Sequence, residues 1–303
     1  LRGGRPESPA GRGTILPARG EGTASDRCTL ALLAVVFAVF TAGRLLGAVP
    51  AGPWALHASL LASFGLLVAA MVRRPGASWV PWARAIGTVT VMMILYNPLG
   101  RPVLSMIPWR ADAWIEAADR AIFAGYSPAR WAARHVGDRG IEFWSAIYGF
   151  FVPFLYLSIF LGCVGRPSRE RSRFLAGFAV TYALAYLGYL FLPTTGPIEF
   201  LGTVPPRGGA VHRMIVASVA STGGNHGAFP SLHVGASTFL CLFDLRYDRL
   251  RGLTYAPMVV LIAFSTLFLQ YHYVVDLLAG VAIALVADRA AARQSLPATG
   301  DKA

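Results

Sequence analysis

"RFLAGFAVTYALAYLGYLFL", residues 173–192, carries a charge only at its first position, Arg173. About 20 apolar residues of helix cross a bilayer core, so this stretch reads as a membrane span. Seven further runs read the same way: about 29–48, 54–72, 80–97, 142–163, 231–245, 254–271 and 272–290. The composition agrees, with 55% hydrophobic and 14% charged residues, where a soluble domain carries about a quarter charged. The expected fold is all-α, a polytopic integral membrane protein of about eight transmembrane helices.

The net charge of +12 does not point to nucleic acid, because the arginines gather at span ends as the positive-inside rule requires. "MVRRPGASWVPWAR", "GRPSRERSRF" and "DLRYDRLRG" fall on one side of eight spans, together with both termini. That side is the cytoplasm, of a bacterial-type plasma membrane. Residues 1–27, rich in Gly, Pro and Arg, read as a disordered cytoplasmic tail without the short apolar core of a cleaved signal. Residues 28–290 form the membrane catalytic domain and 291–303 a second cytoplasmic tail. Cys28, Cys163 and Cys241 are expected to form no disulfide, and their spacing fits no zinc site.

Residues 98–140 are too polar to cross and are placed outside, as interfacial helices. In "RADAWIEAADRAIFAG", residues 110–125, Ala111, Trp114, Ile115, Ala118 and Ile122 share one helical face, with Asp112, Glu116, Asp119 and Arg120 opposite. Ser127 as N-cap and Pro128 at the first helical position start a second helix. Their arginines read first as snorkelling to headgroups, Arg44 likewise, with Arg101 a candidate for holding an anionic headgroup.

Two polar clusters carry chemistry. "GGNHGAFPSLHVGAS", residues 223–237, opens the sixth span, and "FLQYHYVVDLLAG", residues 268–280, joins the seventh to the eighth. One hairpin turning at "RYDRLRG" brings them to the same depth on the extracytoplasmic side. His272 and Asp276 are four residues apart and stack on one helical face. A carboxylate beside an imidazole fixes its tautomer and frees the other ring nitrogen to attack. His233 approaches from the neighbouring span as a proton donor. Ser231 and the amides of Gly223, Gly224 and His226 supply donors of the kind that cradle phosphate oxygens. His57, His135 and His212 read as structural. Ionisable groups inside membrane segments are costly and by default functional, and three that converge favour catalysis over a transporter or scaffold, for which neither internal repeats nor mid-membrane breaks are seen.

"AFPSLHVGAS" followed by "HYVVDLLAG" resembles the paired signature of the type 2 phosphatidic acid phosphatase superfamily of lipid phosphatases, haloperoxidases and lipid phosphotransferases. The form G-G-N-H-x-A-F-P-S-L-H with H-Y-x-x-D, with Leu232 where the phosphatases carry glycine, is similar to the inositol phosphorylceramide synthase branch. The resemblance implies a phosphatase-like helical core with its catalytic motifs in residues 193–290. It also implies His272 as the nucleophile forming a phosphohistidine, Asp276 as its partner, and His233 as general acid. Ser231, Gly223 and Gly224 would contribute to the phosphate cradle, without metal or cofactor. The implied substrate is a phospholipid or lipid phosphate. Two cations of the phosphatase pattern are missing, since the only lysine is Lys302 and Ser265-Thr266 stands where Ser-Arg is expected. Arg207 and Arg213 are the candidates to replace them. "LPTTGP", residues 192–197, reads as a span terminator that loosely resembles a proline-rich turn of the synthase branch. A lipid or polyprenyl phosphate phosphatase is the alternative activity.

Overall fold

The computed structural model describes residues 22–203, 207–221 and 226–293, leaving out the side chains of Asn97 and Arg101. Its described residues form helices and connecting turns, with no strand: α1 (Ala24–Leu45), α2 (Ala51–Arg73), α3 (Val80–Met106), α4 (Asp112–Ile122), α5 (Pro128–His135), α6 (Asp138–Cys163), α7 (Ser168–Phe191), α8 (Pro197–Leu201), α9 (Ala210–Ser221), α10 (Leu232–Tyr247), α11 (Arg249–Phe268) and α12 (Val274–Ala292). Five of them, α1, α2, α6, α7 and α11, are long and apolar enough to cross a membrane. Each of the eight apolar runs coincides with a long helix, displaced by a few residues at its ends.

The stretch at 173–192 is the central post. Its apolar window is 72% buried, against 22% for α2 and α11, because α7 packs against α1, α3, α6, α10 and α12. Phe174, Phe178, Tyr182 and Tyr186 recur every four residues along it, all fully or almost fully buried. Phe239 and Phe243 of α10 both meet Phe174 of this stripe, and Tyr186 donates its hydroxyl hydrogen to the carbonyl of Met92 in α3. The face of α7 is thus aromatic rather than lipid-like, and the helix is enclosed by protein.

Ion pairs fasten the end of the bundle remote from the two histidine clusters. Arg84 of α3 donates from Nε to both carboxylate oxygens of Asp26 in α1, at 3.0 and 3.1 Å. Asp244 of α10 receives Arg166 and Arg251, the latter with Nε at 2.6 Å, and Arg246 reaches Asp288 at 2.6 Å.

Two expectations need correction. The third helix does not stop at 97: it continues through Pro98 and Pro102 to Met106. Residues 210–221, which lie between the expected fifth and sixth spans, form helix α9. On α4 the polar face does not lie in solvent. Asp112 and Asp119 are 0% exposed and Glu116 is 8%, whereas Trp114 is 66% and Ile122 54% exposed. The reason is that backbone N–H groups of two other segments end against α4 and need acceptors, which only the carboxylates supply. Helix α5 begins as expected, with the Ser127 side chain accepting from Arg130 N at 3.3 Å.

Candidate active site

Helices α10 and α12 approach closely because glycines face each other at their crossing. A Cβ on Gly280 would stand 2.6 Å from the carbonyl oxygen of Ser231 and 3.1 Å from Gly235 N. The backbones are tied there by Ser231 N donating to the Asp276 carbonyl at 3.0 Å. The short connection between α10 and α11 turns α11 back beside α10, and α12 then packs on α10. His233, in the first turn of α10, therefore meets His272 in the turn between α11 and α12.

His272 Nδ1 lies 3.3 Å from Asp276 Oδ2, and its Nε2 lies 3.4 Å from His233 Nδ1. The same Asp276 oxygen accepts from Tyr273 N at 2.9 Å, so the carboxylate caps its own helix while facing the imidazole. His233 is wedged between Tyr148 and Phe151 of α6, at ring-centroid distances of 4.9 and 4.6 Å, and Ser237 donates to its backbone carbonyl.

Both imidazoles open on a chamber of about 690 Å³ between α3, α6, α7, α9 and α10. Tyr96, Tyr148, Tyr182, Tyr186, Tyr189 and Tyr271 line it, and no Lys, Arg, Asp or Glu does so among the described residues. Helix α9 closes one side with Val211, Met214, Ile215 and Val219, an i, i+3, i+4, i+8 face. It is anchored at its start, where Glu142 of α6 accepts from Gly209 N at 2.7 Å, Val211 N at 2.8 Å and His212 N at 3.0 Å. Ser145 and His212 Nδ1 are 2.9 Å apart beside it.

The other expected site residues are distributed unevenly. His226 lines the chamber, its ring 6.0 Å from that of Tyr96 and against the bare Cα face of Gly100. Ser231 is fully buried as the N-cap of α10, accepting from Val234 N at 3.4 Å, and does not reach the chamber wall. Arg207 and Arg213 are exposed and line no part of it, because the start of α9 is bound to α6 and turns Arg213 outward. Gly223 and Gly224 lie outside the described residues, as does the side chain of Arg101. Arg44 donates to Val49 O at 3.4 Å, His57 Nδ1 is 2.6 Å from Pro53 O, and His135 Nδ1 is 2.8 Å from Trp131 O.

Sequence reading missed the supports of the site. The "LPTTGP" turn does more than end α7: Thr194 Oγ1 accepts from Ala228 N at 2.8 Å and Phe229 N at 3.0 Å. Gly196 makes the turn with φ +84° and has Tyr271 O at 3.1 Å from its notional Cβ, a conformation that suits glycine. Asp112 accepts from Thr195 N at 2.9 Å and Gly196 N at 2.8 Å, and from the Tyr273 hydroxyl at 3.2 Å. Asp119 accepts from Val274 N at 2.9 Å and Val275 N at 2.8 Å. Burial raises the pKa of Asp112 and Asp119, and the backbone N–H groups they accept act in the opposite direction. The i, i+4, i+7 spacing of Asp112, Glu116 and Asp119 was the available signal.

A family model described as the PAP2 superfamily matches residues 114–290. No curated protein and no solved structure matches the chain.

Proposed function

This chain belongs to the PAP2 superfamily, a family of phosphatases and phosphotransferases, and from that premise we propose that it is a membrane lipid phosphotransferase acting through a phosphohistidine at His272. The observation that carries the reading is the imidazole of His272 held between Asp276 and His233 at 3.3 and 3.4 Å on the wall of the chamber.

The proposed reaction has two halves. His272 Nε2 attacks the phosphorus of the donor, the bond from phosphorus to the donor's alcohol oxygen breaks, and His233 gives its proton to that oxygen. Asp276 holds the Nδ1 proton and stabilises the positive charge that grows on the ring. In the second half His233 takes the proton of an acceptor hydroxyl, whose oxygen attacks phosphorus as the N–P bond breaks, returning His272 neutral.

An acceptor hydroxyl from a lipid makes the protein a transferase, and water makes it a lipid or polyprenyl phosphate phosphatase. The transferase reading, with a phosphodiester donor bearing an inositol-like headgroup, is supported by the G-G-N-H-x-A-F-P-S-L-H pattern. The cation-free set of described chamber residues also supports it. The site is proposed to face away from the cytoplasm, because at the other end the α2–α3, α6–α7 and α10–α11 connections and the helix turns beside them carry Arg73, Arg74, Arg166, Arg169 and Arg249.

The test is to incubate the purified protein in nanodiscs with lipid phosphates and phosphodiester lipids, with and without polyol or ceramide-like acceptors, following products by mass spectrometry. An acceptor-dependent phospholipid absent in His272→Ala is expected. Free phosphate formed without acceptor would make the protein a phosphatase, and activity surviving in His272→Ala would remove the nucleophile.

A further inference from the structure

We propose that Asp119, with Asp112, positions the His272 and Asp276 pair from α4, outside the helices that carry it. The proposal rests on the reading of His272 as nucleophile. The first turn of α12 has backbone N–H groups without intrahelical acceptors, and three have identified partners. Tyr273 N goes to Asp276 Oδ2, while Val274 N and Val275 N go to the two oxygens of Asp119. Asp276 therefore caps only one donor, and its Oδ2 remains within 3.3 Å of His272 Nδ1.

Without the Asp119 carboxylate, the amides of Val274 and Val275 would have one other carboxylate in reach on their own turn, that of Asp276. Its Oδ1 is buried and has no hydrogen-bond partner among the described residues, so it is the acceptor they would recruit. Rotating the carboxylate to serve them takes it away from the imidazole. Asp119 thus spares Asp276 a capping role that would compete with its catalytic one.

Asp112 acts on the other flank, joining the Thr195–Gly196 turn to the hydroxyl of Tyr273. Ala111 and Ile115 of α4 pack on Tyr273 in a small apolar cluster apart from the main core, which fixes the distance from α4 to α12. All three bonded side chains, Asp112, Asp119 and Tyr273, are 0% exposed, so water does not substitute for the carboxylates.

The test is a double-mutant cycle on the rate of phosphoenzyme formation, with KM, using Asp119→Asn, Asp276→Asn and both together. An asparagine keeps the shape but presents an NH2 to one of two backbone donors. Asp119→Asn is expected to lower kcat about 10- to 100-fold with KM within about 2-fold, a size set by sub-ångström misplacement. In the Asp276→Asn background it is expected to cost less than about 3-fold further, because it acts through Asp276, and Asp119→Glu is expected to recover part of the loss. Independent, multiplying effects, or a folded Asp119→Asn protein with unchanged kcat, would overturn the proposal. Asp112→Asn is read in the same cycle if Asp119→Asn does not accumulate. In 15N-histidine-labelled protein, the Nδ1 proton resonance of His272 is expected to move in Asp119→Asn, and a fixed resonance would overturn the proposal. If the wild type transfers no phosphoryl group from any donor, the functional reading fails and this resonance alone decides the positioning role.

Discussion

Replacing Gly280 with alanine puts a methyl group into the crossing of α10 and α12. The new Cβ would stand 2.6 Å from the Ser231 carbonyl oxygen and 3.2 Å from Val234 Cβ. A carbon and a carbonyl oxygen sit comfortably at about 3.3 Å or more, so the helices must part by about 0.7 Å. The Ser231 oxygen belongs to the backbone and cannot rotate away. Ser231 begins the turn that carries His233, so the 3.4 Å between His233 Nδ1 and His272 Nε2 opens to about 4 Å. Such a displacement is expected to lower kcat by about 10- to 100-fold, and overpacking to cost about 1–3 kcal/mol of stability. The assay is acceptor-dependent product formation in nanodiscs beside a thermal melt. Gly65→Ala is the control: nothing lies within 4 Å of its Cβ, and alanine is the better helix former by up to about 1 kcal/mol. Wild-type kcat in Gly280→Ala would refute the view that this crossing sets the distance between the two histidines.

Asp276→Asn is expected to reduce kcat by about 10²- to 10⁴-fold while the protein still accumulates, as measured by phosphoenzyme trapping. A loss under about 3-fold would show that His272 needs no carboxylate. Glu142→Gln keeps one oxygen for three backbone donors, so α9 should loosen from α6. Faster proteolysis near residue 210 and a raised KM with little change in kcat are expected, and an unchanged KM would separate α9 from substrate binding.

The His233, His272 and Asp276 constellation was legible because its geometry is mostly local. Two residues four apart on one turn must stack, and a single hairpin must return the chain to the same end of the bundle. The membrane character was legible from composition alone. The orientation of α4 was not, because an amphipathic pattern separates two faces without saying what each one meets. Beside lipid, the apolar face of such a helix can point outward and the acidic one inward, which is how Trp114 is left exposed and Asp119 buried. Helix α9 was hidden for another reason. Its twelve residues are too few to cross a membrane, and their mixed Ser, Ala and Val content reads as connecting chain; the Glu142 side chain that starts it lies 67 or more positions away. Ser231 shows the converse limit: the residue is where the motif puts it, but its oxygen faces the helix it caps.

The charges around His272 bear on which donor the proposed reaction would take. Asp112, Asp119 and Asp276 stand around the start of α12, and Glu116 adds a fourth carboxyl nearby, whereas the described chamber wall carries no cation. Backbone N–H groups take up part of this negative charge: Thr195 and Gly196 on Asp112, Val274 and Val275 on Asp119, Tyr273 on Asp276. What is left repels an incoming phosphoryl group in proportion to its charge. A phosphate monoester brings about −1.5 to −2 at neutral pH, a diester about −1, so repulsion falls by up to about half when the donor is a diester. The diester therefore gains most where cations are scarce, and its kcat/KM is expected to exceed that of the matching monoester when both carry the same lipid. A ratio below one, with both reactions lost in His272→Ala, would mean that a cation reaches the phosphoryl group after all, and would turn the assignment toward a phosphatase.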